Sequence, residues 1–161
     1  GHVGVLSIGA PKIITTGQGG CVITNDPQIS ERIHAIKNFG RTVGVGEVYN
    51  VMGMNFKFTD LQASFGIEQM CRLPEVVKRN KQLYIGYRDN LKKVVEFVDT
   101  DLKTCTPTYP EILVEDRDVL AEHLRRYNIG CRAVYDSLAK QPFHFSRWAR
   151  HAPVTESNGA R

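Results

Sequence analysis

The sequence predicts an α/β fold whose second half is a smaller α+β unit. Three observations carry this. Two short apolar runs, residues 3–7 and 21–24, flank a glycine-rich loop. Helix-spaced apolar residues with cap signals follow them, twice. After residue 93 the pattern becomes strand, strand, helix, strand.

Residues 3–7 and 21–24 read as short buried strands. Asp26-Pro27 then starts a helix, with an acidic N-cap and proline at the first helical position. Ile29, Ile33 and Ile36 supply its apolar face and Gly40 its stop. Residues 40–54 form a glycine-punctuated loop. Thr59-x-x-Gln62 is a capping box that opens the next helix, with Leu61, Phe65 and Met70 at helical spacing. Pro74 should end that helix and begin a long amphipathic one bearing Val76, Val77, Leu83, Tyr84, Tyr87 and Leu91. Residues 94–98 and 109–115 read as strands, and residues 116–127 as a helix with Val119, Leu120, Leu124 and Tyr127 inward. The run CRAVY, residues 131–135, reads as a last strand.

Composition bounds the function. At 161 residues the chain is long enough for one ordinary domain with a sizeable core. It is 42% hydrophobic and 24% charged, a globular balance. The net charge of +4 is spread among acids, as in KRNKQLYIGYRDNLKK, which reads as a solvated helix face and not a nucleic-acid patch. Cys21, Cys71, Cys105 and Cys131 are scattered, without C-x-x-C or paired-histidine spacing. This predicts neither a metal site nor a disulfide scaffold, and suits a reducing cytoplasm. No apolar run reaches the roughly 18 residues of a membrane span. The opening GHVGVLSIG reads like a mid-domain strand and the closing TESNGAR like no terminal element. Both suggest a fragment cut at each end.

The loop PKIITTGQGG admits several readings. It lacks the residue order of a P-loop and of a dinucleotide fingerprint, and a strand follows it where either motif needs a helix. Gly17, Gly19 and Gly20 could simply reverse the chain. Lys12 stands straight after Pro11 at the mouth of two apolar strands. Partly desolvated there, its amine would be a nucleophile toward carbonyl carbons; otherwise it is a surface lysine.

The run from Gly1 to Asp26 resembles the active-site segment of the DegT/DnrJ/EryC1/StrS family. In that family a serine stands five positions before a cofactor-bearing lysine, followed by a glycine-rich stretch and a strand. Ser7, Lys12, Gly17, Gly19, Gly20, Thr24, Asn25 and Asp26 fit. KNFGR at residues 37–41, GMNFKFTDLQASFGIEQM at 53–70 and NIGCRAVYDSLAKQP at 128–142 are similar to further family segments. Within the family, PKIITTGQGG and NFKFTDLQA look most like perosamine-synthase-type members, which act on GDP-linked 4-keto-6-deoxy sugars.

The resemblance implies a pyridoxal-phosphate-dependent nucleotide-sugar aminotransferase with the aspartate-aminotransferase-like architecture, fold type I. Residues 1–73 would close its large cofactor-binding domain, residues 74–97 would be a connecting helix, and residues 98–161 a truncated small domain. Lys12 would bind pyridoxal 5'-phosphate covalently and then serve as general base and acid. An amino donor, typically glutamate, would supply nitrogen to the nucleotide-sugar substrate. Ser7 would bind the cofactor phosphate. Asn55 would reach the cofactor phosphate of a neighbouring subunit, implying a homodimer with shared sites. Lys57, where arginine is frequent, is a candidate for substrate phosphates; Arg132 and Tyr135 are candidates for sugar-nucleotide contact. Gln18 departs from the acidic residue usual there. Related 3-dehydratases carry histidine at the Lys12 position, so lysine implies amine transfer. In the family, the phosphate-binding helix N-terminus, the aromatic stacked on the cofactor ring and the aspartate at its pyridine nitrogen come from the chain upstream of the lysine. The fragment alone is therefore expected to be inactive. Two other readings stay open: a non-catalytic binding or regulatory relative, and a small α/β nucleotide-binding domain.

Overall fold

The computed structural model describes residues 1–42 and 47–135; the end of the last family-like segment, from residue 136, lies outside them. The chain divides into two compact units. One is Gly1–Leu83 with Thr106–Thr108; the other is Tyr84–Cys105 with the chain from Tyr109 onward.

In the first unit, β1 (Gly4–Ser7) and β2 (Gly20–Ile23) pair antiparallel, from Gly4 opposite Ile23 to Ser7 opposite Gly20. The glycine-rich segment therefore does reverse the chain. α1 (Pro27–Lys37) starts as the cap signals predict. Asp26 Oδ1 accepts hydrogen bonds from the Gln28 and Ile29 amides, at 2.8 and 3.2 Å. Ala35 is its buried residue, with Ile29 and Ile33 half-buried and Ile36 more open.

The end of α1 is unusual. Asn38 is the C-cap, Phe39 takes the left-handed conformation at φ 62°, and the Gly40 amide donates back to the Ala35 carbonyl at 2.8 Å. The remaining end carbonyls are taken by a later segment. The Met54 amide donates to the Ile36 carbonyl at 2.9 Å, and the Phe56 amide to that of Lys37 at 3.0 Å. In return the Phe39 amide donates to the Met54 carbonyl at 3.1 Å, and the Asn50 amide to that of Gly40 at 2.9 Å. These bonds satisfy the helix-end groups that would otherwise lack partners. They require two bare α-carbons. A Cβ on Gly40 would lie 1.8 Å from the Val51 carbonyl oxygen, and one on Gly53 would lie 2.2 Å from the Gly40 nitrogen.

α2 (Asp60–Leu91) is a single helix of 32 residues with Pro74 inside it. The break expected at Pro74 does not occur. Proline there removes one backbone bond and costs about 3 kcal/mol. Uninterrupted helix-forming sequence on both sides outweighs that local penalty. α2 supplies Asp60–Leu83 to the first unit and continues into the second.

The second unit gathers around Tyr84, 4% exposed. Its ring meets Phe97 edge-on, with centroids 6.1 Å apart, and its hydroxyl donates to the Val98 carbonyl at 3.1 Å. β3 (Glu96–Phe97) pairs antiparallel with β4 (Ile112–Leu113). α3 (Arg117–Arg126) turns Leu120, Ala121 and Leu124 inward and leaves Val119 and Tyr127 outside. The predicted inner face of this helix was thus half right: Leu120 and Leu124 share a side at i, i+4, from which Val119 is turned away. Residues 131–135 form no strand; they have no ladder partner among the described residues.

The sizeable core expected from length is not found among the described residues. Among the described residues only Ala35 and Tyr84 count as buried hydrophobics, and both strands of the β1–β2 hairpin are exposed throughout. A two-stranded sheet has no second layer of its own to cover either face. None of the described helices is long and apolar enough to cross a membrane.

The close approach at Gly40 makes Gly40→Ala destabilising by about 3 kcal/mol or more, through steric displacement of the whole 50–56 segment. Gly86 is a control: a Cβ there meets nothing within 4 Å inside α2, so Gly86→Ala should stabilise by about 0.5–1 kcal/mol. Urea-denaturation midpoints of the two variants should move in opposite directions.

Candidate active site

Residues 8–19 join β1 to β2 and contain Lys12. The loop is braced by its own backbone and threonines. The Ile8 amide donates to the Gly19 carbonyl at 3.1 Å, extending the hairpin by one step. The Ile8 carbonyl accepts from the Thr16 amide at 3.0 Å and from Thr15 Oγ1 at 3.3 Å. Thr15 Oγ1 also accepts from the Gly17 amide at 2.9 Å, and Thr16 Oγ1 donates to the Gln18 carbonyl at 2.9 Å. Lys12 closes a turn through its amide, which donates to the Gly9 carbonyl at 3.1 Å. Its side chain is exposed, so within this chain it has the surface placement that was the other reading open to it. Ser7 ends β1; its Oγ accepts one long bond from the Gly9 amide, 3.5 Å, and keeps its proton to donate.

The loop is also held from outside, by one stripe of α2. Gln62 Nε2 donates to the Gln18 carbonyl at 2.9 Å. Gln69 Oε1 accepts from the Thr15 amide at 3.4 Å. Between them stands Gly66, where a Cβ would lie 3.2 Å from Thr16 Cγ2. Residues 62, 66 and 69 follow i, i+4, i+7 and so share one face. Gln62 works at both ends of its amide, because its Oε1 accepts from the Thr59 amide at 3.1 Å while Thr59 Oγ1 accepts from the Gln62 amide at 3.2 Å. The capping box was legible in sequence, but the second use of Gln62 and the part played by Gln69 were not. The signal was there as Q-x-x-x-G-x-x-Q at helical spacing. Gly19, at φ 145°, lets Phe58 close on the loop: a Cβ there would be 2.8 Å from Phe58 Cε2.

Asn55 and Lys57 sit on the segment docked against the end of α1, in the same unit as Ser7 and Lys12. Both are exposed. Asn55 Oδ1 accepts from the Lys57 amide at 3.3 Å, which leaves its amide nitrogen to donate outward. Lys57 Nζ lies 4.9 Å from the centre of the Phe39 ring. Arg132 and Tyr135 belong to the second unit, where the Arg132 guanidinium lies 4.5 Å from the Tyr135 ring and both are exposed. The structure therefore brings four of the six sequence-predicted residues into one unit and pairs the other two with each other. A concavity of about 780 Å³, lined by His2, Ile23, Thr24 and Gln28 among others, contains none of them.

The model of the DegT/DnrJ/EryC1/StrS aminotransferase family matches residues 1–161. The chain is 28% identical to a GDP-perosamine synthase of Escherichia coli O157:H7, over all of this chain and 45% of that protein. It is 29% identical to a dTDP-4-amino-4,6-dideoxy-D-glucose transaminase of Shigella dysenteriae, over 84% of this chain and 38% of that one. Among solved structures it is similar to a DegT DnrJ EryC1 StrS aminotransferase from Brucella abortus, with a TM-score of 0.84, 24% identity, and cover of 100% of this chain and 44% of that one. DesI, solved in the presence of its TDP-sugar product, gives a TM-score of 0.83 at 26% identity, over 100% of this chain and 43% of that one. The chain thus spans under half the length of these relatives.

If Gln62 fastens the lysine loop through Nε2, Gln62→Glu should keep the helix cap and release the loop. Losing one hydrogen bond and facing the Gln18 carbonyl with a carboxylate should cost about 1–2 kcal/mol locally. Amide hydrogen exchange should speed up at Thr15, Thr16 and Gly17 while the first turn of α2 stays protected.

Proposed function

The chain belongs to the DegT/DnrJ/EryC1/StrS aminotransferase family, and from that premise we propose that it is the lysine-bearing part of a pyridoxal-phosphate-dependent nucleotide-sugar aminotransferase. The reaction proposed is transfer of an amino group, from glutamate, to a nucleotide-linked 4-keto-6-deoxy sugar. The setting proposed is the cytoplasm, in the supply of sugars for surface polysaccharide. Residues 1–73 are assigned to the close of the cofactor-binding domain, residues 74–97 to the connecting helix and residues 98–161 to the small domain. Relatives named for such transferases, on GDP-, dTDP- and UDP-linked sugars, support the class.

The observation that carries this reading is the Lys12 loop itself. An exposed primary amine stands on a turn that the strand pair, two threonines and two glutamines of α2 hold in place. The donor set fits pyridoxal phosphate: Lys12 Nζ is free to bond an aldehyde carbon, and the Ser7 hydroxyl can donate to a phosphate. Bound there, the cofactor supplies the electron sink that makes a proton on the neighbouring substrate carbon removable. The task of this chain is to hold it and to move that proton. Lys12 Nζ, on its turn, would be the group of this chain that takes and returns that proton. The fixed turn keeps it within reach, which is worth more than its basicity alone.

Asn55 completes the proposal as a phosphate ligand for a second copy of the chain. Its exposure, and an amide nitrogen left to donate while Oδ1 is engaged by Lys57, support that role.

In the complete protein, Lys12→Ala should abolish the near-visible absorbance that pyridoxal phosphate gives on bonding a lysine, and lower amine transfer by about 10³-fold. Transfer at the wild-type rate without Lys12 would refute the assignment. Cofactor binding with no transfer by the wild type would favour the non-catalytic relative instead. Sharing of sites has its own test. Lys12→Ala and Asn55→Ala subunits, each inactive alone, should regain about a quarter of wild-type activity on random reassembly, because each mixed dimer has one intact site. No recovery on mixing would place Asn55 in its own subunit's site.

A further inference from the structure

Gly66 lies in the interior of α2, where glycine sustains a helix less well than alanine. What its bare α-carbon admits is the lysine loop. A Cβ on Gly66 would lie 3.2 Å from Thr16 Cγ2, so the loop would have to retreat by a few tenths of an ångström. Gly86, further along the same helix, has nothing within 4 Å of a Cβ position and so excludes no side chain.

Thr16 cannot retreat alone. It is half-buried, and a β-branched side chain has few χ1 positions to choose from. Turning its methyl away from α2 would carry Oγ1 off the Gln18 carbonyl, to which it donates at 2.9 Å. Its amide is tied as well, donating to the Ile8 carbonyl at 3.0 Å. Both partners lead to the reactive end of the loop. Ile8 joins Ser7 to Gly9, and the Gly9 carbonyl closes the Lys12 turn by accepting the Lys12 amide at 3.1 Å. The Gln18 side chain stands over the same glycine: a Cβ on Gly9 would lie 3.9 Å from Gln18 Oε1 and 3.7 Å from Ser7 Oγ. A shift of Thr16 is therefore passed through Ile8 and Gln18 to the serine and the lysine turn together.

We propose that Gly66 is a positioning residue for amine transfer: its missing side chain seats the Thr16 methyl against α2 and so sets where the Lys12 turn lies. Glycine is kept there at a cost to the helix. This rests on the reading of Lys12 as the reacting amine, so one arm of the test uses no cofactor. In the complete, cofactor-free protein, Gly66→Ala should quicken amide hydrogen exchange at Thr16 and Lys12 about fivefold. In the loaded enzyme it should lower kcat about fivefold, with KM for the amino donor unchanged. Thr16→Ser removes the methyl and keeps the hydroxyl. Added to Gly66→Ala, it should restore both the exchange rates and kcat, together with any unfolding temperature the single variant has lost. Gly86→Ala should alter neither exchange in the loop nor kcat. The proposal is overturned if Gly66→Ala leaves either Thr16 exchange or kcat at the wild-type value, or if adding Thr16→Ser restores neither. A wild type that transfers no amine refutes the aminotransferase reading instead, with the exchange arm still deciding whether Gly66 seats the loop.

Discussion

Gly40 and Gly53 bring their backbones so close that no side chain fits between them: a Cβ on Gly53 would lie 2.2 Å from the Gly40 nitrogen and 2.6 Å from the Ile36 carbonyl oxygen. That contact lets residues 50–56 act as the C-terminal cap of α1, accepting and donating where the helix has groups to spare. The register of everything downstream follows. With Met54 bonded to Ile36 and Phe56 to Lys37, Asn55 stands opposite Asn38 and Lys57 comes within reach of the Phe39 ring. A slip of one residue would turn each of these side chains to the other side.

The same run of chain governs the lysine loop. Phe58 closes on Gly19, Thr59 caps α2, and Gln62 ties that cap to the Gln18 carbonyl. From Asn55 to Gln62 the positions facing the proposed phosphates and those fixing Lys12 are separated by a few bonds of ordered backbone. Under the proposed sharing of sites, that backbone would serve two sites at once, fixing Lys12 in its own and holding Asn55 toward that of a second copy.

Local chemistry was legible in the sequence and long-range chemistry was not. Asp26-Pro27 and Thr59-x-x-Gln62 are complete signals within four residues, and both formed as read. The glycine loop reversed the chain as its composition suggested. Pro74 misled because a proline signal is local, whereas a helix of 32 residues is sustained by its whole length. The stretch 131–135 has alternation fit for a strand but no neighbouring edge among the described residues, and a strand needs a ladder to exist. The lysine, serine and asparagine were singled out by resemblance; composition alone left Lys12 a surface lysine.

Exposure gives the remaining physical lesson. Val5 is 74% exposed, Leu61 71% and Met52 92%, on elements that are otherwise well ordered by hydrogen bonds. Burying a side chain of that size is worth about 1.5–3 kcal/mol, so a chain leaving many of them open is short of a layer. The hairpin that presents Val5 and Leu6 also presents Ser7 and leads directly into the Lys12 turn. Whatever covers its apolar faces covers the amine's surroundings too. Under the reading proposed here, this chain supplies position, through backbone bonds and the Gln62–Gly66–Gln69 stripe. Apolar enclosure of the exposed lysine would, under the same proposal, be the part of a second copy. The exposed Lys12 and the open hairpin are in this way one observation, since the amine and the apolar strands share one uncovered surface.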